Sequence, residues 1–124
     1  MLTPAALILC SALAQPAAQP AATSPYHVIT TYTLGGEGGW DCLTLDADGK
    51  RLYIPRGTHV MVMDTQTGKP LGDIEGTAGV HDVALAPEFH KGFTSNGRSG
   101  DVTVFDTESF KTLGTAKAGN NPDV

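Results

Sequence analysis

Short apolar-polar runs fill the chain from Trp40 onward, and their order recurs. Trp40–Leu45, Arg51–Pro55, His59–Asp64 and Lys69–Ile74 are each four to seven residues of mixed apolar and polar character, separated by turns of Gly, Asp, Ser and Thr. Runs of that length bounded by such turns predict β-strands, because those residues tolerate left-handed backbone or bond their own main chain. Val60-Met61-Val62-Met63 is apolar on both faces, as a strand covered on each side should be. The same sequence of elements returns in Val80–Ala86, Lys91–Ser95, Asp101–Asp106 and Lys111–Thr115. Ahead of both lies Tyr26–Leu34, a β-branched and aromatic run that predicts one further strand.

The recurrence is a repeat. Leu43-Thr44-Leu45 becomes Val83-Ala84-Leu85, and Val60-Met61-Val62-Met63-Asp64-Thr65 becomes Val102-Thr103-Val104-Phe105-Asp106-Thr107. Asp41, Asp82 and Asp123 recur at intervals of 41, and Asp64 and Asp106 at 42, which places a one-residue insertion between. A period near forty with four strands per unit is the mark of β-propeller blades. The expected fold is therefore all-β. Two four-stranded antiparallel blades span about 40–76 and 81–119, a third blade begins at about 120, and Tyr26–Leu34 serves as an N-terminal closing strand. A closed ring takes roughly four to eight blades, so two blades and a stub are expected to be a piece of a longer protein.

The motifs inside the repeat resemble a known family. Tyr53-Ile54-Pro55-Arg56 and Phe93-Thr94-Ser95-Asn96 are similar to the Tyr-Val-Thr-Asn motif of the YVTN-repeat (YncE-like) bacterial propellers. The likeness extends to Asp48-Gly49-Lys50-Arg51-Leu52 before the first motif and Val62-Met63-Asp64-Thr65 after it. It implies a propeller, in many members periplasmic. Its bearing on function is loose, because such propellers serve as binding modules, as surface-layer repeats and as parts of redox enzymes. Pro55 and Arg56 depart from the motif, so that strand is expected to end early or lie at an irregular spot.

The first 25 residues carry no charge. Ala5–Leu13 is an apolar run followed by Ala12-Leu13-Ala14, a small-x-small cleavage pattern, so residues 1–14 read as a secretory signal that lacks a basic n-region. The run is far shorter than the ~20 residues of a membrane span. Gln15–Pro25 is an Ala- and Pro-rich extended linker. Residues 26–124 then form the partial propeller, placed in the periplasm or outside the cell. The net charge of −5 suits neither a nucleic-acid backbone nor an anionic membrane. Of the two cysteines, Cys10 lies in the leader, and Cys42 is expected to be buried in a strand.

Candidate chemistry gathers where each unit begins. Asp41, Asp82 and Asp123 would line one mouth of the central channel, where a ring of carboxylates could hold a cation or a basic group. Their repetition in every unit favours loop capping of backbone N–H groups. Trp40 and His81 precede two of them. His81 could act as a ligand or general base. Adjacent strand residues point to opposite faces, so His81 would not pair with Asp82. Trp40 is expected to plug the channel end or pack under a loop. Asp46-Ala47-Asp48-Gly49 resembles a calcium loop, but its twelfth position is Gly57 where a bidentate Glu is required, so it reads as a hairpin turn. His27, His59 and His90 share no ligand spacing and read as surface residues. No catalytic, metal or cofactor motif is evident, including Gly-x-Ser-x-Gly, Cys-x-x-Cys and Cys-x-x-Cys-His. The functional expectation is a non-catalytic binding or interaction module that takes a protein or small-molecule ligand at the channel mouth. The alternatives are a propeller enzyme whose catalytic or cofactor residues lie beyond residue 124, and a surface-layer or adhesion repeat.

Overall fold

The computed structural model describes residues 26–123. The predicted leader and linker lie outside the described residues. Two four-stranded antiparallel sheets form, each in simple sequential order. The first contains β1 (Thr44–Leu45), β2 (Arg51–Pro55), β3 (Val60–Asp64) and β4 (Pro70–Ile74). The second contains β5 (Val80–Ala86), β6 (Lys91–Asn96), β7 (Asp101–Asp106) and β8 (Thr112–Lys117), with a short 3-10 turn at Pro87–Phe89.

The sheets meet face to face over an apolar core. Tyr53, Val60, Val62 and Ile74 of the first sheet pack against Val83 and Phe105 of the second, together with Val80. The Tyr53 and Phe105 rings lie 6.0 Å apart and tilted by 40°, within the favourable range for an aromatic pair. Phe105 is seated over Gly92, where a Cβ would stand 2.1 Å from its ring. Toward β6 the interface turns polar. Thr94, Asn96 and Thr103 are buried, and their side chains satisfy one another: Thr94 Oγ1 donates to Asn96 Oδ1 at 2.8 Å, and Asn96 Nδ2 donates to Thr103 Oγ1 at 2.9 Å. Arg51 ties the outer halves together, with Nη1 donating to Thr107 O at 2.7 Å and its guanidinium 5.7 Å from the Phe110 ring centre.

Two expectations are corrected. The first inner strand is two residues long rather than six. Thr44 faces Tyr53 and Leu45 faces Leu52, so Cys42 falls level with Pro55. Proline brings no N–H to the ladder, which ends pairing there. The second sheet has Ser95 at that level and pairs through to Val80. Tyr26–Leu34, the expected closing strand, joins no ladder among the described residues. The repeat offset also differs from a one-residue insertion. Thr44↔Tyr53 and Ala84↔Phe93 set an offset of 40 at the inner strands, whereas Val60 opposite Pro55 and Val102 opposite Ser95 set 42. Two extra residues therefore sit in the β6–β7 turn.

From Tyr32 the chain runs along the face of the first sheet turned away from the second. Tyr32 Oη donates to Gln66 O at 2.7 Å, and its ring fills the space above Gly68, where a Cβ would come within 2.1 Å. Arg56 Nε and Nη2 then hold Glu37 O at 3.2 and 3.1 Å. β4 and the stretch after it meet the second sheet in much the same way. Phe110, at the turn position equivalent to Gly68, covers Gly72, and the β6–β7 turn holds the following linker through Gly97 N–Gly79 O at 2.8 Å and Ser99 N–Ala78 O at 3.3 Å. In one case the aromatic ring comes from the passing chain, and in the other from the turn.

Candidate functional site

The site lies at the end of the sheets where β1 and β5 begin. Here the linker between the sheets is pinned from both sides: Gly79 N donates to Gly57 O at 2.6 Å and Thr77 N to Thr58 O at 3.2 Å, beside the contacts from Gly97 and Ser99. This fixes His81 just after the linker. Its Nδ1 is 2.8 Å from Asp41 Oδ2 of the first unit and 3.8 Å from Asp123 Oδ1, where the third unit begins. One imidazole thus joins three successive units. Its Nε2 lies over Gly97, where a Cβ would come within 2.6 Å. His81 does not pair with Asp82, as strand geometry requires. Its partner is the preceding unit's aspartate, a long-range contact that spacing alone does not reveal.

Asp41 and Asp82 share one role and Asp123 has another. Asp41 Oδ1 accepts from Cys42 N at 3.0 Å, and Asp82 Oδ1 accepts from Val83 N at 2.7 Å, so each caps the N–H that follows it. Asp82 Oδ1 also lies 3.4 Å from Thr44 Oγ1, which donates to Val83 O at 2.8 Å and so links the two inner strands. Asp123 contributes its carbonyl to Ser95 Oγ. The hydrogen bond from His81 holds the Asp41 carboxyl below the ordinary aspartate range. The regular 41-residue spacing hides a difference in register. Asp82 stands opposite Ser95, level with Cys42 in the first sheet, because an irregularity between Val80 and Asp82 accommodates His81 as an added residue. Among the described residues, no three His, Cys, Asp or Glu side chains are placed to hold a metal ion.

Two side chains depart from expectation. Cys42 is exposed rather than buried, because the ladder stops short of it. Desolvation, reinforced by the charges of Asp82, Asp41 and Asp123, raises its thiol above the ordinary value. Trp40 is 79% exposed and packs under no loop among the described residues. It borders a cleft of about 190 Å³ with Asp41, His81 and Arg98. Arg98 was not singled out by the sequence. Its signal is the two-residue lengthening of the β6–β7 turn, visible only once the pairing register is known. His59 and His90 face Asp73 at 3.9 Å and Glu108 at 3.4 Å, as outer-surface pairs.

The opposite end holds the turn between β1 and β2. Asp46 Oδ1 accepts from Lys50 N at 2.7 Å and Arg51 N at 3.1 Å, which closes the hairpin turn expected of this stretch.

No protein-family model and no curated protein sequence matches the chain. Solved structures do. The chain is similar to Kuenenia stuttgartiensis hydrazine synthase, with a TM-score of 0.65 and 22% identity over 77% of this chain and 28% of that one. It is similar to the WD40 repeats of RRP9, with a TM-score of 0.63 and 14% identity over 72% of this chain and 29% of the other. It is also similar to a periplasmic gluconolactonase of Pseudomonas aeruginosa, with a TM-score of 0.56 and 21% identity over 78% and 30% of the respective chains. The chain spans under a third of the length of each. At these identities the likeness shows the fold: the two sheets are blades of a WD40-like β-propeller. No helix among the described residues is long and apolar enough to cross a membrane.

Proposed function

We propose that this β-propeller repeat protein is an exported, non-catalytic binding module of YVTN type whose ligand sits at the mouth end of the blades. The observation that carries the reading is the His81 bridge to Asp41 and Asp123 beside the exposed Trp40. The bridge fixes successive units at the mouth, and a rigid mouth with a large exposed aromatic beside it is how recognition surfaces are built. The capping bonds of Asp41 and Asp82 support a positioning role for these carboxylates rather than a reacting one.

One observation favours the enzyme reading. A carboxylate 2.8 Å from an imidazole nitrogen is the arrangement that orients a general base. The other ring nitrogen lies beside Gly97. The two readings separate in a thermal-shift screen of small solutes on the full chain. The binding reading expects solutes that raise the melting temperature and are recovered unchanged by mass spectrometry. Conversion of a stabilising solute, abolished by His81→Asn, would overturn it. Export expects the secreted chain to begin at Gln15, and recovery of intact Met1 outside the cytoplasm would contradict that part.

A further inference from the structure

The second blade carries a cleft of about 370 Å³ between its β6–β7 turn and the loop after β8. We propose that this cleft binds an oxyanion, the carboxylate, sulfate or phosphate of a small ligand, with Arg98 and Lys117 as its charged ligands. It is lined by Arg98, Ser99, Gly100, Lys117, Asn120 and Asn121 among others, and holds no carboxylate of its own. Two of the chain's eight cationic side chains therefore converge on one cleft of a protein of net charge −5. A local positive field on an acidic surface selects anions.

The two cations are not equally free. Lys117 Nζ donates to Ser99 O at 3.4 Å. It also lies close enough to Asp101 to help hold that carboxyl low, behind the larger effects of hydrogen bonds from Ser99 and Asn96. Arg98 is exposed and has no ion-pair partner among the described residues. A planar guanidinium with open donors matches an oxyanion in bidentate fashion, and the neighbouring Asn120 and Asn121 amides add neutral donors.

The cleft is specific to this unit. The first blade turns from β2 to β3 through Arg56, Gly57, Thr58 and His59, whereas the second turns from Asn96 to Asp101 through two additional residues. Insertions in one repeat of a repeat protein commonly mark its binding face. The floor is backbone brought close by glycine: a Cβ at Gly100 would come within 2.6 Å of Gly119 O, and one at Gly97 within 2.7 Å of Asn121 Oδ1. Arg98 also lines the Trp40–His81 cleft, so it stands between the two. A ligand with an anionic group and a larger body would set the anion against Lys117 and its body toward Trp40.

The test is a titration of the isotope-labelled full chain with inorganic phosphate and, separately, with glucuronate, against chloride at equal ionic strength. The expected result is saturable shifts of the Arg98, Ser99, Gly100 and Asn120 amides with at least one of the two probes. Arg98→Gln should weaken them about tenfold, the loss of one charge-assisted contact, with the remaining spectrum intact. Lys117→Gln should weaken them less. Saturation by phosphate alone assigns the cleft to a free oxyanion. Tighter binding of glucuronate, with a change in Trp40 emission, assigns it to a carboxylate on a larger body. Shifts that chloride reproduces, or that survive Arg98→Gln together with Lys117→Gln, overturn the proposal. A phosphate site here would stand even if His81 proved catalytic, so the two readings fail separately.

Discussion

The two blades repeat one turn, between β3 and β4 and between β7 and β8, and differ at the end where β1 and β5 begin. At the outer turns the repetition is atom for atom. Asp64 Oδ1 accepts from Gln66 N, Thr67 N and Thr67 Oγ1, and Asp106 Oδ1 accepts from Glu108 N, Ser109 N and Ser109 Oγ. At the mouth end the units diverge. The first has a two-residue inner strand cut short level with Pro55, a short turn, and an arginine turned back onto the incoming chain. The second has a seven-residue inner strand with an added His81, a longer turn, and an arginine presented to solvent. The repeated bonds close the same turn in each blade, and the divergence lies in the elements around Arg56, His81 and Arg98. Buried packing runs through both ends, since Val60, Ile74 and Val80 carry the core up to the mouth end.

The largest effect is expected at the shared core. Phe105 is fully buried and touches both Tyr53 and Gly92. Phe105→Ala should cost about 3–5 kcal/mol in denaturant unfolding of the full chain, enough to lose both blades together. A chain that unfolds in two separate steps after this change would show that the blades do not share a core.

A smaller effect tests the exchanged aromatics. Tyr32 covers Gly68 and Phe110 covers Gly72, so Tyr32→Ala and Phe110→Ala should each cost about 1–2 kcal/mol through lost apolar burial. If Tyr32→Ala proves silent, the stretch from Tyr32 to Gly38 is not held against the first blade as the linker after β4 is against the second.

The smallest effect concerns the copied turns. Hydrogen bonds from Thr67 hold the Asp64 carboxyl below its ordinary value, and bonds from Ser109 do the same for Asp106. Their stabilisation is therefore complete above the unfolded aspartate range and fades as pH falls through the lower folded values. Asp64→Asn and Asp106→Asn should lower the melting temperature by equal amounts at neutral pH, and the difference from the parent chain should shrink in acid. Unequal losses would mean that the two turns are alike in shape but not in energy.

Legibility followed the range of the contacts. The outer turns could be read because an Asp followed by Thr or Ser three residues on bonds its own neighbourhood. The strands could be read from short runs bounded by turn residues, and the blade from its period. What escaped the sequence depends on register. Pro55 gave warning of an irregular strand, yet its effect fell on the opposite strand, leaving Cys42 and Trp40 exposed. The even spacing of Asp41, Asp82 and Asp123 implied equivalence, while the irregularity at His81 sets Asp82 at the level of Cys42. The His81–Asp41 contact and the placement of Arg98 both cross between units, and no local pattern announces them. Tyr26–Leu34 has strand composition and joins no ladder among the described residues, because composition supplies preference and pairing supplies the strand.

Trp40 is the chain's sole tryptophan and stands at the mouth, whereas Ala47 lies in the hairpin turn at the other end. Recognition at the mouth can therefore be tested by moving the fluorophore. Emission of the parent chain and of the Trp40→Phe, Ala47→Trp variant would be followed across one panel of small charged and neutral solutes. The account predicts saturable changes in the parent for solutes that leave the variant's emission unaltered. Solutes that shift the variant's emission while the parent stays silent would place recognition at the hairpin-turn end and contradict it.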